Sequence, residues 1–205
     1  MDFSVEPVLT GDRTVLRPFT EADAARMGEI VGDPEVRRFT GSPGHELTPE
    51  LLRSWYGSRS AQPDRLDLAV TDPAVTDPAD GEVLGEVVLH AWVPEERSCT
   101  FRTLIGARGR GRGIGTEATR LIVGYAFEEL GLHRVQLDAY AFNDRALRVY
   151  EKVGFVREGA RREVERRDGV RVDEVLMAVL DHEWAAHRGH PGGRAGRPAA
   201  GVRAR

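Results

Sequence analysis

Lysine is almost missing from this chain of 205 residues: Lys152 is the only one, and arginine supplies every other basic side chain. That bias is explained more simply by GC-rich coding than by selection for nucleic-acid binding. The net charge of −4 also argues against nucleic acid as a partner and mildly favours cationic, amine-bearing substrates. Cysteine is as scarce. Cys99 stands alone, which excludes an intramolecular disulfide and fits a reducing compartment. No apolar run follows Met1, and Asp2, Glu6, Asp12 and Arg13 come early. Neither a signal peptide nor a spanning helix is therefore expected, no membrane is expected as a partner, and the expected location is cytoplasmic. What is present is ordinary for a globular protein, 40% apolar and long enough to bury one full core. A single domain is expected over residues 1–186. From 187 onward Gly, Pro, Ala and Arg, with no acidic residue and no periodicity, read as a disordered tail.

Residues 105–119 are the most informative stretch, a glycine-and-arginine turn running into an amphipathic helix. The first turn of a helix leaves its N–H groups unpaired and carries the positive end of the macrodipole, so anions settle there. Gly111, Gly113 and Gly115 lack a Cβ that would block a phosphate from the main chain, while Arg110 and Arg112 add positive charge. The segment predicts a pyrophosphate site. A P-loop would need Lys and Ser/Thr after its last glycine, and Ile114, Gly115 and Thr116 follow Gly113 instead. A dinucleotide fold would need a third glycine where Thr116 stands. Taken alone, a turn of this composition is also compatible with a plain solvated loop.

About thirty residues later a second pattern stands in register. Arg110, Gly113 and Gly115 form Arg-x-x-Gly-x-Gly, and Asn143, Ala146, Tyr150, Gly154 and Phe155 form Asn-x-x-Ala-x-x-x-Tyr-x-x-x-Gly-Phe. With these two motifs the chain resembles the GCN5-related N-acetyltransferases, on their ribosomal-protein-acetylating, RimJ/RimL-like branch. The resemblance is strongest over 83–184 and thinner over 9–38. It implies an α/β (α+β) fold, a mixed and strongly curved central sheet with a splay between its two central parallel strands, flanked by helices. It also implies acetyl-CoA as cofactor without a metal, direct transfer of acetyl to a primary amine, and a homodimer. A protein N-terminal amine and a small-molecule amine both remain open as acceptor. The alternative is a non-catalytic, acyl-CoA-binding regulatory domain.

The local signals agree with that order of elements. Residues 13–19 alternate as a strand, and Thr20 caps a helix to about Val31. Pro34 opens a short helical restart, and Thr48 with Pro49 starts a helix to about Arg59. Strands are expected over 65–71, 83–92, 99–105 and 133–140, with a Pro/Asp loop over 72–81 that carries a small duplication. Helices are expected over 113–130, stopped by Gly131, and over 143–153. Two long strands then meet at Asp168-Gly169, a hairpin signal.

Through the resemblance, the main chain of 110–115 with Ile105, Ile114 and Thr116 would hold the pyrophosphate, and Asn143 would touch the cofactor arm, although N-capping alone explains it. The pantetheine arm would pair with the splayed strands like an added strand. Tyr150 stands where the family's general acid stands and would protonate the leaving thiolate. Its other reading is a packed aromatic. Many relatives carry Glu where this chain has Thr100, which removes the obvious base. Glu86 is the first candidate in its place, although a charge on a central strand must face a cleft, pair with a residue such as Arg102, or sit at an edge. Asp138 and His90 follow, with a water chain to bulk solvent as the alternative. Trp55 and Tyr56 fit either an acceptor pocket or core packing. Arg145, Arg148 and Lys152 fit either the cofactor's 3′-phosphate or a solvated stripe.

Overall fold

The computed structural model describes residues 3, 5–40, 47–59, 62, 64–72, 81–167 and 169–187. Its strands are β1 (Leu9–Thr10), β2 (Val15–Pro18), β3 (Leu66–Thr71), β4 (Val83–Val93), β5 (Ser98–Ile105), β6 (Arg134–Tyr140), β7 (Val156–Arg167) and β8 (Val170–Leu180). They form one sheet in the order β1-β2-β3-β4-β5-β6-β8-β7. Every neighbouring pair is antiparallel except β5 and β6.

That one parallel pair is short. Ser98, Cys99 and Thr100 lie opposite Arg134, Val135 and Gln136, and there the pairing stops, although β5 continues to Ile105 and β6 to Tyr140. The sheet opens between them, as the resemblance implies. The opening exposes main-chain groups of 101–105 and 137–140 on its two inner edges.

Helices cover both faces: α1 (Ala24–Gly32), α2 (Pro34–Thr40), α3 (Pro49–Gly57), α4 (Ile114–Glu128), α5 (Asp144–Val153) and α6 (Asp181–His187). Alternation along β3 assigns the faces. Leu66, Leu68 and Val70 join the larger core with Ile114, Leu121 and Ile122 of α4, Leu147 and Val153 of α5, and Trp184 of α6. Ala69 points the other way, into a smaller core with Met27 and Ile30 of α1, Val36 of α2, and Leu52 and Tyr56 of α3. Residues paired across strands share a face, so the pairs Ala69–Glu86, Glu86–Leu104, Val88–Arg102, His90–Thr100 and Thr100–Gln136 carry the α1–α3 side as far as β6.

The expected elements are present with physical adjustments. The helix after Thr20 begins as a 3-10 turn, Glu21–Asp23, because Asp23 accepts hydrogen bonds from the Thr20 N–H and hydroxyl at 2.7 and 3.0 Å. Asp23 also receives both ends of the Arg17 guanidinium at 2.8 Å in a buried pair. Thr48 caps α3, its Oγ1 accepting from the Leu51 N–H at 3.2 Å. The short restart at Pro34 is a seven-residue helix, and β1 and α6 add to the expected set. Gly131 ends the α4 region with φ of 59°. At the β7–β8 turn Gly169 takes φ of 83°, while Asp168 lies outside the described residues, as do residues 73–80, which hold the second copy of the duplication at 75–78, and the tail at 188–205. No helix among the described residues is long and apolar enough to cross a membrane.

Candidate active site

A cleft of about 580 Å³ passes through the opening between β5 and β6. One end is the glycine turn. Gly111 and Gly113 adopt φ of 72° and 81°, left-handed values that side chains disfavour, and the space above Gly111 is open where a Cβ would stand. Gly113 caps α4, and the first main-chain bond within the helix runs from the Glu117 N–H to the Gly113 carbonyl at 3.1 Å. The N–H groups of Ile114, Gly115 and Thr116 therefore precede the hydrogen-bonded ladder at the positive end of the helix. Gly111, Gly113, Gly115 and Thr116 line the cleft, with Ile105 beneath them. Such a cradle fits a diphosphate by its donors and by its lack of side chains.

Two expected contributors turn away from it. Arg112 donates to Asp72 at 2.7 Å and to the Arg108 carbonyl at 3.2 Å, and Ile114 is buried in the core at 1% exposure, so what either can offer a phosphate is main chain. Arg110 reaches the cleft wall but is committed within the protein. Its Nε donates to the Ile105 carbonyl at 3.0 Å, its Nη1 to Glu35 at 2.7 Å, and its Nη2 lies 3.4 Å from Asp33. The guanidinium staples the turn to the end of β5 and to α2.

Asn143 caps α5, its Oδ1 accepting from the Ala146 N–H at 3.2 Å, and also lines the cleft. The strongly amphipathic helix it starts buries Leu147, Tyr150 and Val153. Tyr150 packs edge-on against Phe101 at 6.1 Å between ring centres, beneath the opening, and lines the cleft. Burial raises its hydroxyl pKa, and the charge of Asp138 pushes the same way, so the phenol keeps its proton and is a donor. Arg145 and Lys152 border the cleft from the same helix, Arg145 donating to Glu35 at 2.7 Å, whereas Arg148 is exposed outside it.

The far side of the opening is the α1–α3 face. His90, Thr100, Arg102, Asp138 and Glu174 form its wall beneath Val36 and Phe39 of α2. Burial, helped by the positive charges of Arg102 and Arg65, holds the His90 imidazole below its usual value, so it is neutral at neutral pH. Asp138 and Glu174 are both engaged by Arg161, at 3.4 and 2.7 Å.

Glu86, expected first among candidate bases, is 3% exposed and does not line the cleft. Its carboxylate sits behind Arg102, whose Nη2 donates to it at 3.1 Å, and beside the Tyr56 hydroxyl at 3.4 Å. Burial raises its pKa against the pull of Arg102. A carboxylate on a central strand needs a buried partner, and meeting that need withdraws it from the acceptor. Tyr56 is core, and Trp55 lies under Arg59, whose guanidinium stands 3.8 Å from its ring centre; neither lines the cleft. Cys99, buried with its thiol pKa pushed up to about 12, is inert. Sequence reasoning missed Glu35, which no motif marks, and missed the place in the wall of Arg102, weighed only as a partner for Glu86, and of Glu174. The pairings Val88–Arg102 and Tyr140–Glu174 put the last two on the wall, and only strand register finds them.

A sheet parted at its parallel pair, with a glycine turn and a helix N-terminus at the gap, is the fold of the N-acetyltransferases. Residues 13–156 match the family model for the acetyltransferase (GNAT) domain, and the chain belongs to that family. It is similar to YdaF of Bacillus subtilis, provisionally named a ribosomal N-acetyltransferase, with 34% identity over 53% of this chain and 60% of YdaF. The chain thus spans somewhat less than two thirds of that relative. It is also similar to the spermidine N(1)-acetyltransferase of Escherichia coli, 25% identical over 86% of this chain and 91% of the enzyme. Among solved structures, a provisionally assigned acetyltransferase from T. thermophilus aligns with a TM-score of 0.72 at 29% identity, covering 90% of this chain and 95% of that one. The spermidine N-acetyltransferase of Vibrio cholerae, solved with CoA and spermine, shares the fold with a TM-score of 0.74 at 22% identity, over 84% and 98% of the two chains.

Proposed function

We propose that this protein is an acetyl-CoA-dependent N-acetyltransferase that moves an acetyl group directly to a primary amine, protein N-terminal or small-molecule. The observation that carries the reading is the single cleft that joins the glycine turn on one side of the sheet to Tyr150 and His90 at the opening. Acetyl-CoA supplies the activated carbonyl. The protein's own residues bind, orient and move protons. Main-chain N–H groups of 111–116 hold the diphosphate, and the inner edges of β5 and β6 offer hydrogen bonds to an extended amide-bearing arm. Tyr150, which holds its proton in the resting site, hydrogen-bonds to the departing sulfur and donates that proton as negative charge develops there. Neutral His90 accepts the proton that the amine loses. Asp138 assists by charge, although Arg161 at 3.4 Å shares it.

The chain acts in the cytoplasm as a homodimer, with residues 1–186 as one catalytic domain. Thiol release from acetyl-CoA by the purified protein, tested against amino-terminal peptides, polyamines and aminoglycosides, checks the activity. Release that depends on Tyr150 supports it. Absence of release with acetyl-CoA still raising the melting temperature would favour an acyl-CoA-binding regulatory domain instead.

A further inference from the structure

Among the described residues of the acceptor wall, Arg102 is the cation that lines the cleft. It lies on β5 beside the opening, on the α1–α3 side of the sheet, with its side chain 48% exposed and lining the cleft. Its counter-ion stands behind it: Glu86 is buried and holds Nη2 at 3.1 Å, while the Tyr56 hydroxyl steadies the carboxylate from the far side. A guanidinium has five N–H donors in a rigid fork, and Glu86 takes one of them through Nη2. The buried carboxylate therefore fixes the direction of Arg102 and leaves donors facing the cleft.

The other charged groups of this wall are tied to one another. Asp138 and Glu174, the two acidic side chains of the wall, are bridged by Arg161, and His90 is neutral. Among the described residues, an incoming polyamine would meet a fixed cation on β5, and the two carboxylates of the wall already share one guanidinium. An amine with an anionic group close by would find a charge-assisted, directional partner.

We propose that Arg102 is a specificity-determining residue that selects amines carrying a nearby carboxylate. The inference deepens the acetyl-transfer reading and rests on it for the acceptor's place in the cleft. One carboxylate chemistry has two sources, a free amino acid or a peptide with an acidic residue next to its terminal amine.

The test uses the full chain and two readouts, thiol release and calorimetric binding of the acceptor in the presence of CoA. The probes are the peptide amides Ser-Glu-Ala, Ser-Gln-Ala and Ser-Lys-Ala, free glutamate, and spermidine. The wild type is expected to favour Ser-Glu-Ala over its Gln isostere by about tenfold or more in kcat/KM, the scale of a hydrogen bond to a charged group, with spermidine poorest. Free glutamate against the Glu peptide distinguishes the two sources. Arg102→Gln alone strands a buried carboxylate and endangers the fold, so the decisive variant is Glu86→Gln with Arg102→Gln, which removes both charges together. It is expected to erase the preference while acetyl-CoA still binds. An acidic preference that survives in the double variant, spermidine preferred by the wild type, or no binding and no turnover of any carboxylate-bearing probe overturns the proposal. Binding that depends on Arg102 without thiol release from any amine leaves the anion site standing and sinks the transfer reading instead.

Discussion

Glu35 bridges two arginines that border the cofactor side of the cleft, taking Arg110 on one carboxylate oxygen and Arg145 on the other, each at 2.7 Å. A carboxylate on α2 thus stands where it competes with an incoming phosphate. Glu35→Gln should tighten acetyl-CoA binding about two- to fivefold at low ionic strength, a gain that vanishes in high salt because half-exposed charges are screened. Calorimetric titration at two salt concentrations checks both halves, and weaker binding at low salt would contradict the idea.

Tyr150→Phe keeps the ring against Phe101 and removes only the hydroxyl. It should lower kcat by about 10²- to 10⁴-fold, the usual worth of a placed proton donor, and leave acetyl-CoA affinity unchanged. A variant that keeps wild-type kcat would remove Tyr150 from the chemistry.

Gly113→Asp places a Cβ at a backbone φ of 81° and a negative charge at the mouth of α4. Acetyl-CoA affinity should fall at least about 100-fold, since like charges brought together cost several kcal/mol. Unchanged affinity in a titration would refute the assigned cradle.

His90 has a lowered pKa, so the neutral imidazole persists below the pH at which a free histidine protonates. As a proton acceptor it makes kcat/KM hold steady through pH 7 and fall on the acid side as the imidazole charges. His90→Gln should abolish that acid limb and cost about 10²-fold or more in rate. A pH profile that the substitution does not alter would shift the base role to Asp138 or to water.

Asp23 is buried, which pushes its pKa up, but Arg17 and the Thr20 N–H and hydroxyl outweigh burial and hold it below the usual value. The folded state therefore binds this proton less readily than the unfolded chain. The stability it contributes is complete above an ordinary Asp pKa of about 3.9 and is lost as pH falls through the lowered value. Asp23→Asn removes the charge that Arg17 pairs with and should cost about 3–5 kcal/mol in urea unfolding at neutral pH, shrinking in acid. Equal costs at pH 7 and pH 3 would dismiss the pair as the cause.

Much of the fold was legible because its signals are local. Thr48 with Pro49, Gly131, Asn143 and the alternation over 13–19 each announce an element from adjacent residues, and the glycines at 111 and 113 announce their dihedrals. β1 is two residues long and exists by pairing with β2, which leaves almost no pattern to read. The site divided in the same way. Tyr150 and the glycine turn carry motifs at fixed spacing. Glu86 read as a base because a charged residue in a central strand invites a catalytic role, yet its partners Arg102 and Tyr56 lie 16 and 30 residues away and are joined to it by strand register and by α3. Glu35 becomes visible only when α2 is laid across the turn.

Whatever the origin of the bias against lysine, the one lysine, Lys152, stands on the cleft wall. A thioester acylates any unprotonated amine it meets, and guanidinium groups, charged at every physiological pH, do not react. To such a reagent this chain offers one side-chain amine. Any acetyl mark found on a side chain amine of this protein would have to sit there, and would report on the cleft without a background to subtract.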